Sequence, residues 1–187
     1  MRRLKLQMRV TLDGFVADPN GQLDWMTVDI DEKVAAILRH NADTSDTIIM
    51  GRKMSPGFLK YWESVADKKQ VSHDFNFAKK LVDTPKIIFS KTQKTTSGRN
   101  ARIESGDLKT EVEKLKNGSG KDILTYGGPT FASSLMKEDL IDEFYFLVVP
   151  VTLGKGMKIF NDRVKLELIE STQHGNGVVV NHYKRVR

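Results

Sequence analysis

The chain has 187 residues, 39% hydrophobic and 29% charged, with a formal net charge of +6 and no cysteine. This length points to one domain, residues 1–187, with a sizeable core. The missing cysteines exclude a disulfide framework, a zinc–thiolate centre and a thiol nucleophile. No apolar run approaches membrane-span length and the N-terminus lacks a signal peptide's apolar core, so a cytoplasmic protein is expected.

The positive charge favours anionic partners, but the lysines (Lys68, Lys69, Lys79, Lys80, Lys91, Lys94, Lys109, Lys114, Lys116) are interleaved with acids. They form no dense stripe with aromatic platforms, so neither nucleic acid nor membrane is expected as a partner.

In chain order, Leu4, Leu6, Met8, Val10 and Leu12 alternate with polar residues and predict a strand. Asp18-Pro19-Asn20-Gly21 is a turn, and a loop leads to Trp25. Asp29 or Asp31 caps a helix carrying Val34, Ile37 and Leu38 on one face. A short buried strand over 47–50 breaks at Gly51-Arg52-Lys53. Ser55-Pro56-Gly57 opens an irregular stretch with Phe58, Tyr61 and Trp62. A short helix carries Phe75, Ala78, Leu81 and Val82, and buried strand 86–90 follows Pro85. A further strand spans 99–103, and the spacing of Leu108, Val112 and Leu115 predicts a helix over 107–116.

Residues 123–126 form an apolar strand that turns through Gly127-Gly128 into a helix beginning at Pro129. Unpaired first-turn N–H groups and glycines that admit close approach make this an anion site or, on the plainer reading, a packing turn. A long strand over 141–151 precedes a glycine-rich bend, and strands 165–172 and 178–185 are joined by His174-Gly175-Asn176-Gly177. The alternation of strands and helices to residue 140 predicts parallel βα units, and the last third reads as antiparallel.

Three strand ends carry groups suited to an anion: Gly51-Arg52-Lys53, Ser90-Lys91 and Gly127-Gly128-Pro129-Thr130. In an open parallel sheet such ends line one crevice, so the set suits a ligand with several phosphates. The Gly-x-Gly-x-x-Gly fingerprint is absent, and Gly118-Ser119-Gly120-Lys121 fails the phosphate-loop pattern at Leu115 and Asp122. Asp13, beside Gly14 at the end of the first strand, is placed to orient a substrate, or to protonate it if burial raises its pKa. The histidines His40, His73, His174 and His182 show no metal-ligand spacing, so no metal is expected. Surface or structural roles are expected for His174 and His182. Trp25 stands in a loop where an aromatic can cover a ligand.

Together, Thr11-Leu12-Asp13-Gly14-Phe15, Met50-Gly51-Arg52-Lys53, Phe89-Ser90-Lys91, Tyr126-Gly127-Gly128-Pro129-Thr130 and Pro150-Val151-Thr152-Leu153-Gly154 resemble the dihydrofolate reductase superfamily. The chain is most similar to single-domain relatives of the reductase domain of riboflavin-biosynthesis deaminase/reductases. The resemblance spans nearly the whole chain. It implies a mixed, mostly parallel eight-stranded α/β sheet flanked by helices, ending in an antiparallel hairpin, and NADPH as cofactor.

It further implies that Gly51, Arg52 and Lys53 grip phosphates and that Ser90 and Lys91 surround the adenosine 2′-phosphate. Gly127, Gly128, Thr130 and Phe131 would meet the pyrophosphate. Asp13 is then the candidate catalytic residue, with Gly14, Trp25 and Tyr126 on the substrate side. Residues 20–25 match the loop covering the nicotinamide. Met54 stands where the family commonly has threonine, removing one hydroxyl from the phosphate grip.

The expectation is an NADPH-dependent reductase acting on a C=N or C=O group of a small heterocyclic or sugar-linked molecule, similar to the 5-amino-6-(5-phosphoribosylamino)uracil reductases. The alternative is a non-catalytic nucleotide-binding protein of the same fold. The exposed hairpin edge predicts a homodimer.

Overall fold

The computed structural model describes residues 1–26, 30–68 and 73–187, so Asp29 and Lys69 lie outside the described residues. One sheet holds β1 (Leu4–Thr11), β2 (Ser45–Gly51), β3 (Lys86–Phe89), β4 (Ala101–Glu104), β5 (Asp122–Thr125), β6 (Glu143–Val149), β7 (Leu166–Gln173) and β8 (Val179–Arg185). Their order is β4-β3-β2-β5-β1-β6-β8-β7. The helices are α1 (Glu32–Asp43), α2 (Ser55–Asp67), α3 (His73–Asp83), α4 (Leu108–Asn117) and α5 (Pro129–Lys137), with a single 3-10 turn at Asp24–Met26. No helix among the described residues is long and apolar enough to cross a membrane.

The expected mixed, mostly parallel sheet is found, with one correction in its last third. β6 is parallel to β1, in register from Lys5 with Glu143 to Thr11 with Val149. Only β8 against β6 and β7 against β8 are antiparallel. The physical reason is α5, a crossover helix that returns the chain to the same strand direction. A second correction concerns residues 55–67, which form a 13-residue helix instead of an irregular stretch. Pro56 lies in the first turn of α2, where its missing N–H costs nothing. Leu59, Phe58 and Trp62 then face the core.

Chain direction sets the layers. From β1 to β4 the chain steps one way across the sheet, and from β4 to β6 it steps back. Right-handed crossovers therefore send α1–α3 to one face and α4 and α5 to the other. The packing agrees. Leu4, Leu6, Met8 and Val10 cluster with Val112 of α4 and with Ala132, Leu135 and Met136 of α5. Ile48, Met50 and Ile88 cluster with Leu59 and Leu81 of α2 and α3. Val34 of α1, backed by Ile37 and Leu38, meets Leu147, Val178 and Val180.

The polar residues of β1 do not face water. Lys5, Gln7 and Thr11 are buried, because α1 covers that side with matched partners. Lys5 Nζ donates to Thr44 Oγ1 at 3.0 Å and pairs with Asp122 at 2.9 Å. Asn41 Nδ2 donates to Gln7 Oε1 at 3.0 Å. A buried amide or ammonium without such a partner would cost far more than the bond itself contributes. α1 is capped by Asp31, whose Oδ1 accepts from the Val34 amide at 2.9 Å.

Both late histidines pack against residues of the fold itself. His174 is buried, with Nδ1 3.2 Å from Asp31 Oδ1. His182 stacks on Tyr145 at 4.1 Å.

Candidate functional site

The carboxyl ends of β3, β2, β5 and β1 lie side by side on one rim. β5 and β1 are neighbours whose crossovers leave in opposite directions, the switch point at which open α/β sheets take their ligands. Three strand ends converge on Phe131 in the first turn of α5. A Cβ built on Gly51 would stand 2.8 Å from Phe131 Cβ, so only glycine lets the end of β2 approach α5 this closely. The Phe89 ring, at the end of β3, lies 5.5 Å from the Phe131 ring. Gly128 meets Met54, with a built Cβ 3.6 Å from Met54 Cβ, so the loops at 51–54 and 127–131 abut. Gly127 adopts φ +100°, a left-handed conformation that a side chain would strain.

This wall is rich in uncommitted donors. The helix start at Gly128 has no side-chain cap. Among the described residues, the amides of Gly128, Thr130 and Phe131 have no protein acceptor. Arg52 and Lys53 are exposed, and neither has a carboxylate partner there. Ser90 is buried, and its Oγ accepts from the Gln93 amide at 2.8 Å. Lys91 is partly committed, since Nζ donates to the Ser105 and Gly106 carbonyls at 2.9 and 2.8 Å. All nine residues expected on the cofactor side (Gly51, Arg52, Lys53, Ser90, Lys91, Gly127, Gly128, Thr130, Phe131) thus belong to the ends of β2, β3 and β5. Unpaired amides, cations and close-approach glycines are the donor set that a phosphate-bearing dinucleotide requires.

The substrate side differs from expectation at Asp13. Its carboxylate is exposed, accepting from the Thr11 hydroxyl at 2.5 Å, the Gly154 amide at 2.7 Å and the Leu153 amide at 3.1 Å. The Thr11 hydroxyl foremost, then the Gly154 and Leu153 amides, hold the carboxyl below its ordinary range. The condition for proton donation, a pKa raised by burial, is not met. Asp13 instead fastens the exit of β1 to the loop after β6.

Gly14, exposed with φ +82°, turns the chain beside it. Trp25 is buried within the 3-10 turn, and its Nε1 has no partner among the described residues. Tyr126 stacks on Phe58 of α2 at 5.3 Å. Its hydroxyl is likewise unpartnered among the described residues, and burial pushes the phenol up, so it is a neutral donor at pH 7.

One residue on this side escaped the sequence reading. Arg9 lies on the same face of β1 as Lys5 and Gln7 and donates through Nη1 to the Met26 carbonyl at 2.7 Å. In the sequence it was one polar position in an alternating strand. The available signal was that β1 is flanked by βα units on both sides, so its polar row could not be solvated.

The fold and this rim define the dihydrofolate-reductase-like class of α/β domains. The chain belongs to the RibD C-terminal domain family, which matches residues 2–180. The uncharacterised protein YyaP of Bacillus subtilis (strain 168) is 34% identical over 182 residues, covering 95% of this chain and 92% of YyaP. The riboflavin biosynthesis protein RibD of Aquifex aeolicus (strain VF5) is 27% identical over 83% of this chain, which spans 48% of that protein. The crystal structure of a protein assigned to riboflavin biosynthesis from Shewanella sp. PV-4 aligns over 100% of both chains with a TM-score of 0.77, at 23% identity. The family is a reductase-like one associated with the riboflavin pathway.

Proposed function

We propose that the protein is an NADPH-dependent reductase of small heterocyclic or sugar-linked substrates with a reducible C=N or C=O group. The carrying observation is that the loop bearing exposed Arg52 and Lys53, unpaired with carboxylates among the described residues, abuts the uncapped first turn of α5 through Gly51 and Gly128. Arg52, Lys53, Ser90 and Lys91 would hold the cofactor's adenosine end, and Gly127, Gly128, Thr130 and Phe131 its pyrophosphate. NADPH, when bound, supplies the hydride. The protein's part is to orient the partners and exclude water, with Trp25, Tyr126 and Gly14 bounding the substrate and Asp13 fixing the rim.

The test is tryptophan-fluorescence titration with NADPH and NADH. NADPH should bind more tightly, and Arg52→Ala should weaken NADPH more than NADH. Equal affinities in the parent protein would remove the roles given to Arg52, Lys53 and Lys91.

A second reading, a non-catalytic nucleotide-binding protein, is favoured by Asp13 itself, since its carboxylate is engaged and its pKa low. Saturable NADPH binding without NADPH oxidation across pyrimidinones, pterins and aldehydes would select this reading. We also propose a cytoplasmic homodimer formed through the β7 edge, where Leu168 and Ile169 are exposed. Light scattering of the purified chain over a concentration range tests the dimer.

A further inference from the structure

The chain has ten arginines. Seven are paired with carboxylates, and Arg52 and Arg163 are exposed. Of the remaining three only Arg9 is half-buried, and among the described residues it has no carboxylate partner. Guanidinium cannot shed its proton to escape a poor environment, so a half-buried one without a counter-charge lowers stability. Burial pushes it below its ordinary range, and the Tyr61 side chain of α2 acts in the opposite direction. The buried cations are all better met: Arg2, Lys5 and Lys116 have carboxylates and Lys86 Nζ donates to three carbonyls, whereas among the described residues Arg9 has the Met26 carbonyl alone.

Its position gives the reason. The stem of Arg9 lies among Ile30, Val34, Leu147, Val149 and Val178. The head reaches the Met26 carbonyl, directly beside Trp25. One strand over, Tyr126 follows the last registered pair, Leu6 with Thr125, and so falls beside Gln7 on the same face. Trp25 Nε1 and Tyr126 Oη are buried donors with no acceptor among the described residues. This side of the sheet therefore offers a cation and two idle neutral donors.

We propose that Arg9 is the specificity-determining residue of the substrate pocket, selecting a small acceptor that carries an anionic oxygen group, carboxylate or phosphate. A planar fork of donors on a rigid central strand suits bidentate capture of such a group. The assignment deepens the reductase reading and rests on it for the word substrate.

The test is calorimetry on the full chain with matched probes, orotate against uracil for a carboxylate and uridine 5′-monophosphate against uridine for a phosphate. NADPH affinity is measured separately. At least one anionic probe should bind roughly tenfold or more tightly than its neutral partner, the size of one charge-assisted contact. Arg9→Met should erase that preference and Arg9→Lys retain part of it, with NADPH affinity unchanged in both. The arm that responds identifies the group.

Two neutral probes binding as well as their anions would overturn the assignment, as would a preference that survives Arg9→Met. If Arg9→Met does not fold, an undiminished preference in Arg9→Lys overturns the bidentate fork instead. An anion preference in a chain that does not bind NADPH would sink the reductase reading and leave Arg9 standing. NADPH binding without any anion preference would do the reverse.

Discussion

The two ends of the sheet treat charge in opposite ways. At the amino ends the starts of β1, β2, β5 and β6 are clamped. Arg3 pairs with Asp122 and Glu143, each at 2.6 Å, and buried Lys5 pairs with Asp122. Lys116, also buried, holds Asp142 at 2.7 Å and the Leu140 carbonyl at 2.9 Å. Arg2 binds Asp46 and Thr47. At the carboxyl ends Arg52 and Lys53 are free, the α5 amides are bare and Arg9 has no counter-ion among the described residues. The same residue types thus do different work. At one end they hold strands together, and at the other their unmet valence is available to a ligand.

If that division is real, substitutions at the two ends should fail differently. The largest effect is expected for Asp122→Ala, which strands Lys5, only 2% exposed, without its carboxylate. Removing one partner of a buried pair costs about 3–5 kcal/mol, so the urea midpoint should fall sharply while the folded fraction still binds NADPH. Next comes Gly51→Ala. Its Cβ would clash with Phe131, and such overpacking costs about 1–3 kcal/mol. Adding Phe131→Ala should not restore the melting temperature, since alanine keeps the Cβ that the new methyl meets at 2.8 Å.

Arg52→Ala should weaken NADPH by about tenfold, roughly 1.4 kcal/mol, and leave the unfolding free energy within about 0.5 kcal/mol of the parent. A large loss of stability there would erase the distinction between the two ends.

The smallest effect is expected at Asp13. Its carboxyl titrates below the ordinary 3.8, held by Thr11 first and then by the Gly154 and Leu153 amides. Its contribution is complete above that value and is lost as pH falls through the lower folded pKa. Asp13→Asn should flatten the acid limb of the stability curve and leave the neutral plateau nearly unchanged.

Much of this was legible in the residues. Period-two alternation marked β1, Pro129 after two glycines marked the start of α5, and three separate strand ends marked the rim proposed to hold phosphates. What was hidden depended on distance along the chain. Nothing local shows that the Asp13 carboxylate meets the amides of Leu153 and Gly154, which lie 140 and 141 positions away. The direction of β6 was equally invisible, because a buried run reads the same in a parallel or an antiparallel ladder. Ser55-Pro56-Gly57 looked like a breaker because both residue types punctuate chains, although a helix tolerates them in its first turn. Arg9 was passed over since an alternating strand is ordinarily wet on its polar side.

The place of β1 in the sheet also bears on how the chain is made. Both of its neighbours, β5 and β6, begin more than a hundred residues later, at Asp122 and Glu143. During synthesis β1 must wait, unpaired, until β5 and β6 have been made. Such non-local closure is slow, and a waiting apolar strand invites association with other chains. Lys5, Gln7 and Arg9, set between its apolar residues, act as gatekeepers in that interval. The polar row that later meets α1 and the substrate side first serves to keep the nascent chain soluble.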